Sequence, residues 1–238
     1  MFISTALPRT RRADPWRDTD VIDARAPRFN QTVVATVSLA AVALGWWPLL
    51  GLLAAQLAIG LRFGRRYCLP CVAYFELVQP RFGEGPLEDS RPPRFANQVG
   101  VAFLSAATVA YGLGATGVGT ALGLIVAALA ALAATTGFCA GCEMYKIGAR
   151  LRGIRTHRLD RIDAGDADGL ADRAIVEFTH PLCTDCQTLA QDLHAAGERV
   201  LTIDVSRRPE LARKYGIAVV PVAVRVAQDG RVTERLAG

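Results

Sequence analysis

The chain has 238 residues and is 51% hydrophobic, with 27 Lys and Arg against 22 Asp and Glu, a formal charge of +5. That length fits one large domain or two ordinary ones, and the apolar residues are gathered into stretches, so a single mixed globular core is excluded. The basic excess comes with no zinc-finger, basic-helix or RNA-binding pattern, which excludes nucleic acid as its partner. The arginines flank apolar runs instead, as suits membrane lipid.

Residues 1–25, opening MFISTALPRTRRADPWRDTD, read as a polar, loosely ordered arm. No run of about 7–15 apolar residues precedes a cleavage site there, so no secretory signal is expected. Residues 29–61 carry no charged side chain. That is too long for one crossing of about 20 residues and short for two. Gly45-Trp46-Trp47-Pro48 marks the break, because Pro ends a helix and Trp favours the membrane interface. We read two short spans, 32–47 and 49–65, with Arg62 and Arg65 snorkelling to lengthen the second. A re-entrant hairpin is the alternative. RRYCLPC then brings Cys68 and Cys71.

Residues 95–142 are uncharged again. Segments 97–113 and 118–138, split by Gly114-Ala115-Thr116-Gly117, are each long enough to span, and Gly112, Gly119 and Gly123 allow close packing. Cys139 and Cys142 close the run. The two stretches look like copies, an internal repeat: Pro27-Arg28-Phe29-Asn30-Gln31 opens one and Pro93-Arg94-Phe95-Ala96-Asn97-Gln98 the other. Each leads into a hairpin that ends in CxxC, so both pairs are expected at one bilayer face. Arginines cluster before, between and after the hairpins, and the hairpin tips carry none. The positive-inside bias then makes both termini cytoplasmic. The fold expected for 26–150 is an all-α membrane domain of four transmembrane helices, two repeated hairpins in the cell's inner or plasma membrane.

Residues 151–172 read as a basic surface helix and an acidic linker. Met144, Ile147, Leu151 and Ile154 recur at helical spacing with basic residues between them, as in a helix lying on a membrane; a plain basic linker is the alternative. Asp163 to Gly169 lacks the oxygen positions of a calcium loop and is read as flexible. From 173 to 238 the pattern becomes α/β: strands over 174–178, 199–205, 219–226 and 231–236, with helices over 184–196 and 209–215.

This last segment resembles thioredoxin. VEFTHPLCTDC is similar to that family's strand–CxxC–helix opening, RKYGIAVVPV to its cis-proline stretch, and AQDGRVTERLAG to its closing hairpin. The resemblance implies a small α/β domain working by dithiol/disulfide exchange, with a redox-active disulfide and no other cofactor. A helix N-terminus stabilises a thiolate. Cys183, first and more exposed, is expected as the nucleophile, and Cys186 as the resolving thiol. Glu177 matches the family's buried acid, which would relay a proton to or from Cys186, and Pro221 matches the cis-proline. Thr184 and Asp185 replace the usual Gly-Pro, and Leu182 replaces an aromatic residue, which leaves the direction of electron transfer open. His180 is read as a loop histidine, with stabilisation of the thiolate by its protonated ring as the alternative. The family's last helix does not follow, so one sheet face is expected to need cover from the membrane domain or a partner. Residues 26–150 also resemble bacterial integral membrane proteins of unassigned function with paired PRF motifs, through Phe138-Cys139-Ala140-Gly141-Cys142-Glu143-Met144-Tyr145.

All six cysteines fall in CxxC pairs. One reading is a membrane-tethered thiol–disulfide oxidoreductase in which Cys68, Cys71, Cys139 and Cys142 relay electrons to or from Cys183 and Cys186. The alternative is a membrane zinc-binding protein or transporter using those four cysteines as thiolate ligands, with the C-terminal domain in support. The third reading is a plain anchor whose cysteines are small buried hydrophobes. Nothing resembles a nucleotide or flavin site, so the partner is a thiol or disulfide protein or a small thiol.

Overall fold

The computed structural model describes residues 12–156, 159–167 and 174–237. Residues 1–11 of the expected arm, residues 168–172 of the expected linker, and Arg158, Arg173 and Gly238 lie outside the described residues, as does the side chain of Ile154. The chain divides into two compact units. One holds Asp14–Gly85 and Ser90–Tyr145; the other holds Met1–Ala13, Pro86–Asp89 and Lys146–Gly238.

The first unit opens with a short strand, β1 (Val21–Asp23), and two long helices, α1 (Arg25–Ala43) and α2 (Pro48–Phe63). Gly45, at φ +67°, turns the chain between them, and Pro48 sits in the first turn of α2, where its missing N–H is no loss. Two short helices follow, α3 (Leu69–Ala73) and α4 (Gln79–Phe82), with a π-helical turn, Tyr74–Val78, between them. Strand β2 (Leu87–Asp89) belongs to the second unit. A second pair of long helices, α5 (Arg91–Gly112) and α6 (Thr116–Thr136), completes the first unit, and α7 (Ala140–Thr156) leads out of it. Helix α1 packs on α6 and α2 on α5, with α5 beside α6. Val34, Leu50, Leu57, Leu104 and Val126 fill the space between them. A Cβ on Gly123 would lie 2.9 Å from Val42 Cγ2, so glycine there sets how closely α1 and α6 approach. Asn30 Nδ2 donates to Asn97 Oδ1 at 3.2 Å, which joins the asparagines of the two PRF segments where α1 and α5 begin.

These helices correct the expected fold class. Among the described residues, only α6 is both long and apolar enough to cross a membrane; α2 is apolar but has 16 residues. Helices α1 and α5 begin just ahead of the PRF segments and take them in, so part of each is arginine and amide side chain rather than hydrocarbon. The chain also carries a two-stranded sheet besides a four-stranded one, so the N-terminal half is not all-α. Four spans and cytoplasmic termini therefore lose their support. The arginine count misled because it assumed that every arginine faces headgroups. Arg65, expected to snorkel at the end of a span, lies beyond α2 and donates to the carbonyls of Pro15, Asp18, Thr19 and Val21 at 2.6–3.3 Å.

In the second unit the sheet order is β4-β3-β5-β6. Strand β3 (Ala174–Thr179) runs parallel to β4 (Val200–Asp204) and antiparallel to β5 (Val222–Val226), which pairs antiparallel with β6 (Val232–Ala237). Side chains alternate across the sheet. Ile175, Val200 and Ala223 meet Leu189 and Leu193 of α8 (Thr184–Ala195) on one face. Val176, Phe178 and Val224 meet Leu211 and Ala212 of α9 (Pro209–Lys214) on the other. Leu159, Ile162 and Ala167, placed by the sequence reading in the surface helix and linker, are buried in this second cluster. Ile162 N–H donates to Gly230 O at 2.8 Å, and Lys214 pairs with Asp163 and Asp166, so this stretch is bound to the sheet rather than free of it.

Candidate functional site

The strand β3 delivers the chain to the CxxC turn. His180 follows the strand, and its Nδ1 accepts the N–H of Leu182 at 3.2 Å, so its ring serves the turn. Cys183 caps α8 from extended backbone, and its Sγ accepts the Cys186 N–H at 3.2 Å. The two cysteines are joined as a disulfide at the helix N-terminus. A helix N-terminus offers N–H groups and partial positive charge, which favour a thiolate once the bond is opened. Cys183, expected as the more exposed of the two, is buried like its partner: it is 1% accessible and Cys186 0%.

The Val220–Pro221 bond is cis. The β3–β5 register sets Phe178 opposite Val222, so Pro221 lies level with Thr179, where β3 gives way to the cysteine turn. Glu177 sits two residues before that point and is fully buried. Neither carboxylate oxygen has a hydrogen-bond partner. Burial disfavours the charged form and pushes this carboxyl up to about 7. An acid that titrates near neutrality can take up or release a proton there.

The other two pairs belong to the first unit. Cys68 is buried and precedes α3; Cys71 is half-buried against Ala26, Tyr74 and Phe75. Cys139 and Cys142 stand at the start of α7, both half-exposed. Cys142 N–H donates to Cys139 Sγ at 3.3 Å, the same pattern as at Cys183. Both pairs are closed as disulfides. Cys71 packs beside Ala26 and Phe29 of α1, and a Cβ on Gly137 would meet the Arg28 guanidinium. Cys71 therefore adjoins the first turns of α1, and the glycine two residues before Cys139 lies against the Arg28 side chain. A Cβ on Gly141 would lie 2.8 Å from Ala96 Cα. Because the obstacle is backbone, Gly141→Ala is expected to cost about 1–3 kcal/mol, read as a lower melting temperature of the detergent-solubilised chain. Among the described residues no three His, Cys, Asp or Glu side chains gather as metal ligands. The four cysteines of the zinc reading do not form such a set.

Residues 22–150 match the family described as Domain of unknown function (DUF4395). The chain belongs to that family. The DUF4395 region takes in α1 to α6 and the pairs Cys68–Cys71 and Cys139–Cys142. A 64-residue stretch is 27% identical to the SPbeta prophage-derived thioredoxin-like protein YosR of Bacillus subtilis (strain 168), over 27% of this chain and 80% of the relative. No solved structure matches the chain. Sequence reasoning missed one contributor outside the motifs. Leu87 N–H donates to Thr184 Oγ1, between the two cysteines, at 2.9 Å. No motif in Gly85-Pro86-Leu87-Glu88-Asp89 signals that contact.

Proposed function

We propose that the chain is a membrane-attached thiol–disulfide oxidoreductase that works through Cys183 and Cys186. The observation that carries this reading is the disulfide at the N-terminus of α8, with an unpartnered carboxyl on the strand that leads into it. The thioredoxin-like relative supports it. Attachment is supported by α6, long and apolar enough to cross a bilayer, and by exposed Leu124, Ile125, Leu129 and Leu132 along it.

In the reducing direction the Cys183 thiolate attacks one sulfur of a target disulfide. That bond breaks, the departing target thiolate takes a proton, and Cys183 stays joined to the target as a mixed disulfide. Glu177 accepts the Cys186 proton; the Cys186 thiolate attacks Cys183 Sγ, frees the second target thiol and closes the disulfide. Two electrons have then passed to the target. A dithiol reopens the pair and is itself oxidised. Cys139 and Cys142, half-exposed at a helix start, or Cys68 and Cys71, take that part in the relay, recharged by a small thiol or a thiol protein.

Purified full chain should accelerate the reduction of insulin disulfides by dithiothreitol. Replacing Cys68, Cys71, Cys139 and Cys142 by serine should leave that assay intact, since dithiothreitol substitutes for the relay, but stop transfer from a slower monothiol donor. No acceleration by the wild-type chain refutes the exchange reading; unchanged monothiol transfer refutes the relay. Release of the chain from membranes by alkaline carbonate refutes the attachment.

A further inference from the structure

The disulfide of Cys183 and Cys186 is closed off from a partner. Thiol–disulfide exchange needs an incoming sulfur to reach Cys183 Sγ, and a residue 1% exposed does not permit that approach. A segment from a distant part of the chain lies at the same turn. Strand β2 and its neighbour Pro86 fall in the compact unit of residues 146–238, and β2 packs on α8. Leu87 N–H is bonded to the hydroxyl of Thr184, the residue that follows Cys183. Leu87 is 2% exposed, Glu88 faces outward and Asp89 is buried, the alternation of an extended strand with one face sunk into a surface. An extended segment that offers a backbone N–H and sinks an aliphatic side chain is how a sheet-edge or groove binder holds a peptide.

We propose that Pro86–Asp89 is a built-in strap that occupies the place of the target peptide and must leave Thr184 before Cys183 can react. This rests on the reading that Cys183 and Cys186 perform exchange. It also gives the target its chemistry: an extended segment with an aliphatic residue in the position of Leu87. Exchange at the second unit is thereby gated, and a target competes with the chain's own Leu87.

The test reads thiol access rather than activity. The full chain in detergent is reduced, and alkylation of Cys183 by iodoacetamide and by a bulky maleimide is followed by peptide mass spectrometry. Leu87→Gly removes the buried side chain, and Thr184→Val removes the acceptor while keeping the volume. Each is expected to speed alkylation of Cys183 at least about tenfold, more for the bulky reagent, while Glu88→Gln leaves it unchanged. Wild-type Cys183 that reacts as fast as in both variants overturns the strap. In that event insulin reduction still proceeds if the exchange reading holds. If exchange itself is wrong, insulin reduction is absent although both variants open the thiol.

Discussion

Cys186→Ser is expected to convert the chain into a trap: a target should remain joined to Cys183 as a mixed disulfide that persists without reductant, and Cys183→Ser should form no such adduct. The reason is the proposed division of labour at the start of α8. Cys183 caps the helix with its sulfur accepting the N–H of residue 186, while Cys186 lies one turn inside and fully buried. A serine at 186 keeps the volume and the N–H but cannot attack the mixed disulfide, so release of the target stops. A serine at 183 removes the nucleophile, and insulin reduction should fall by at least about a thousandfold, because an unactivated hydroxyl does not replace a thiolate. The check is non-reducing electrophoresis of membranes, followed by mass spectrometry of the trapped band. A band joining Cys183 to Cys139, Cys142, Cys68 or Cys71 identifies the relay partner within the chain. Release of the target by Cys186→Ser at the wild-type rate would remove Cys186 from the mechanism.

Glu177→Gln is the second large effect, and it acts in opposite directions on rate and on stability. Burial raises this carboxyl from its ordinary 4.5 to about 7. Between those values the unfolded chain releases a proton that the folded chain retains. The unfolded state then binds fewer protons, so stability falls as pH rises through that window and levels off above about 7. The size of the loss is about 3 kcal/mol for a shift of this order. Glutamine cannot ionise, so the variant should lose this slope and hold its protection at pH 8. Hydrogen exchange of the β3 and β5 amides, compared at pH-corrected intrinsic rates, reads it. Exchange activity should move the other way. In the wild type, the carboxylate proposed to take the Cys186 proton is populated above about 7. The rate should therefore rise through that pH, and Glu177→Gln should flatten the profile and lower it about 10–100-fold. A profile that keeps its inflection in the variant would assign the titration to another group.

Local elements of the second unit are legible in the residues. Ala174–Thr179 becomes a strand, Cys183 caps a helix, and Pro221 stands before β5, because each depends on neighbours along the chain: a short apolar run with β-branched residues, a CxxC at a helix start, and a proline at a strand entrance. The four long helices of the first unit follow from the apolar runs and from the breaks at Gly45 and Gly114. Their count as membrane spans did not follow. Helix formation begins upstream of the apolar residues in α1 and α5, and Pro48 leaves α2 at 16 residues.

The residue pattern alone was enough to place three CxxC pairs and a set of apolar helices, since these rest on chemistry and periodicity within a few residues, whereas the buried acid on a strand was implied by the likeness to thioredoxin. Folding settled what no short window contains. Arg65 spends its guanidinium on the carbonyls of residues 15–21 instead of on lipid. Leu159 and Ile162 enter the core of a sheet that begins at residue 174. Cys183 is buried at a turn held by Leu87, 97 residues before Thr184. Each is a long-range closure, in which a polar or apolar group finds a partner far along the chain because leaving it unsatisfied or wet would cost more.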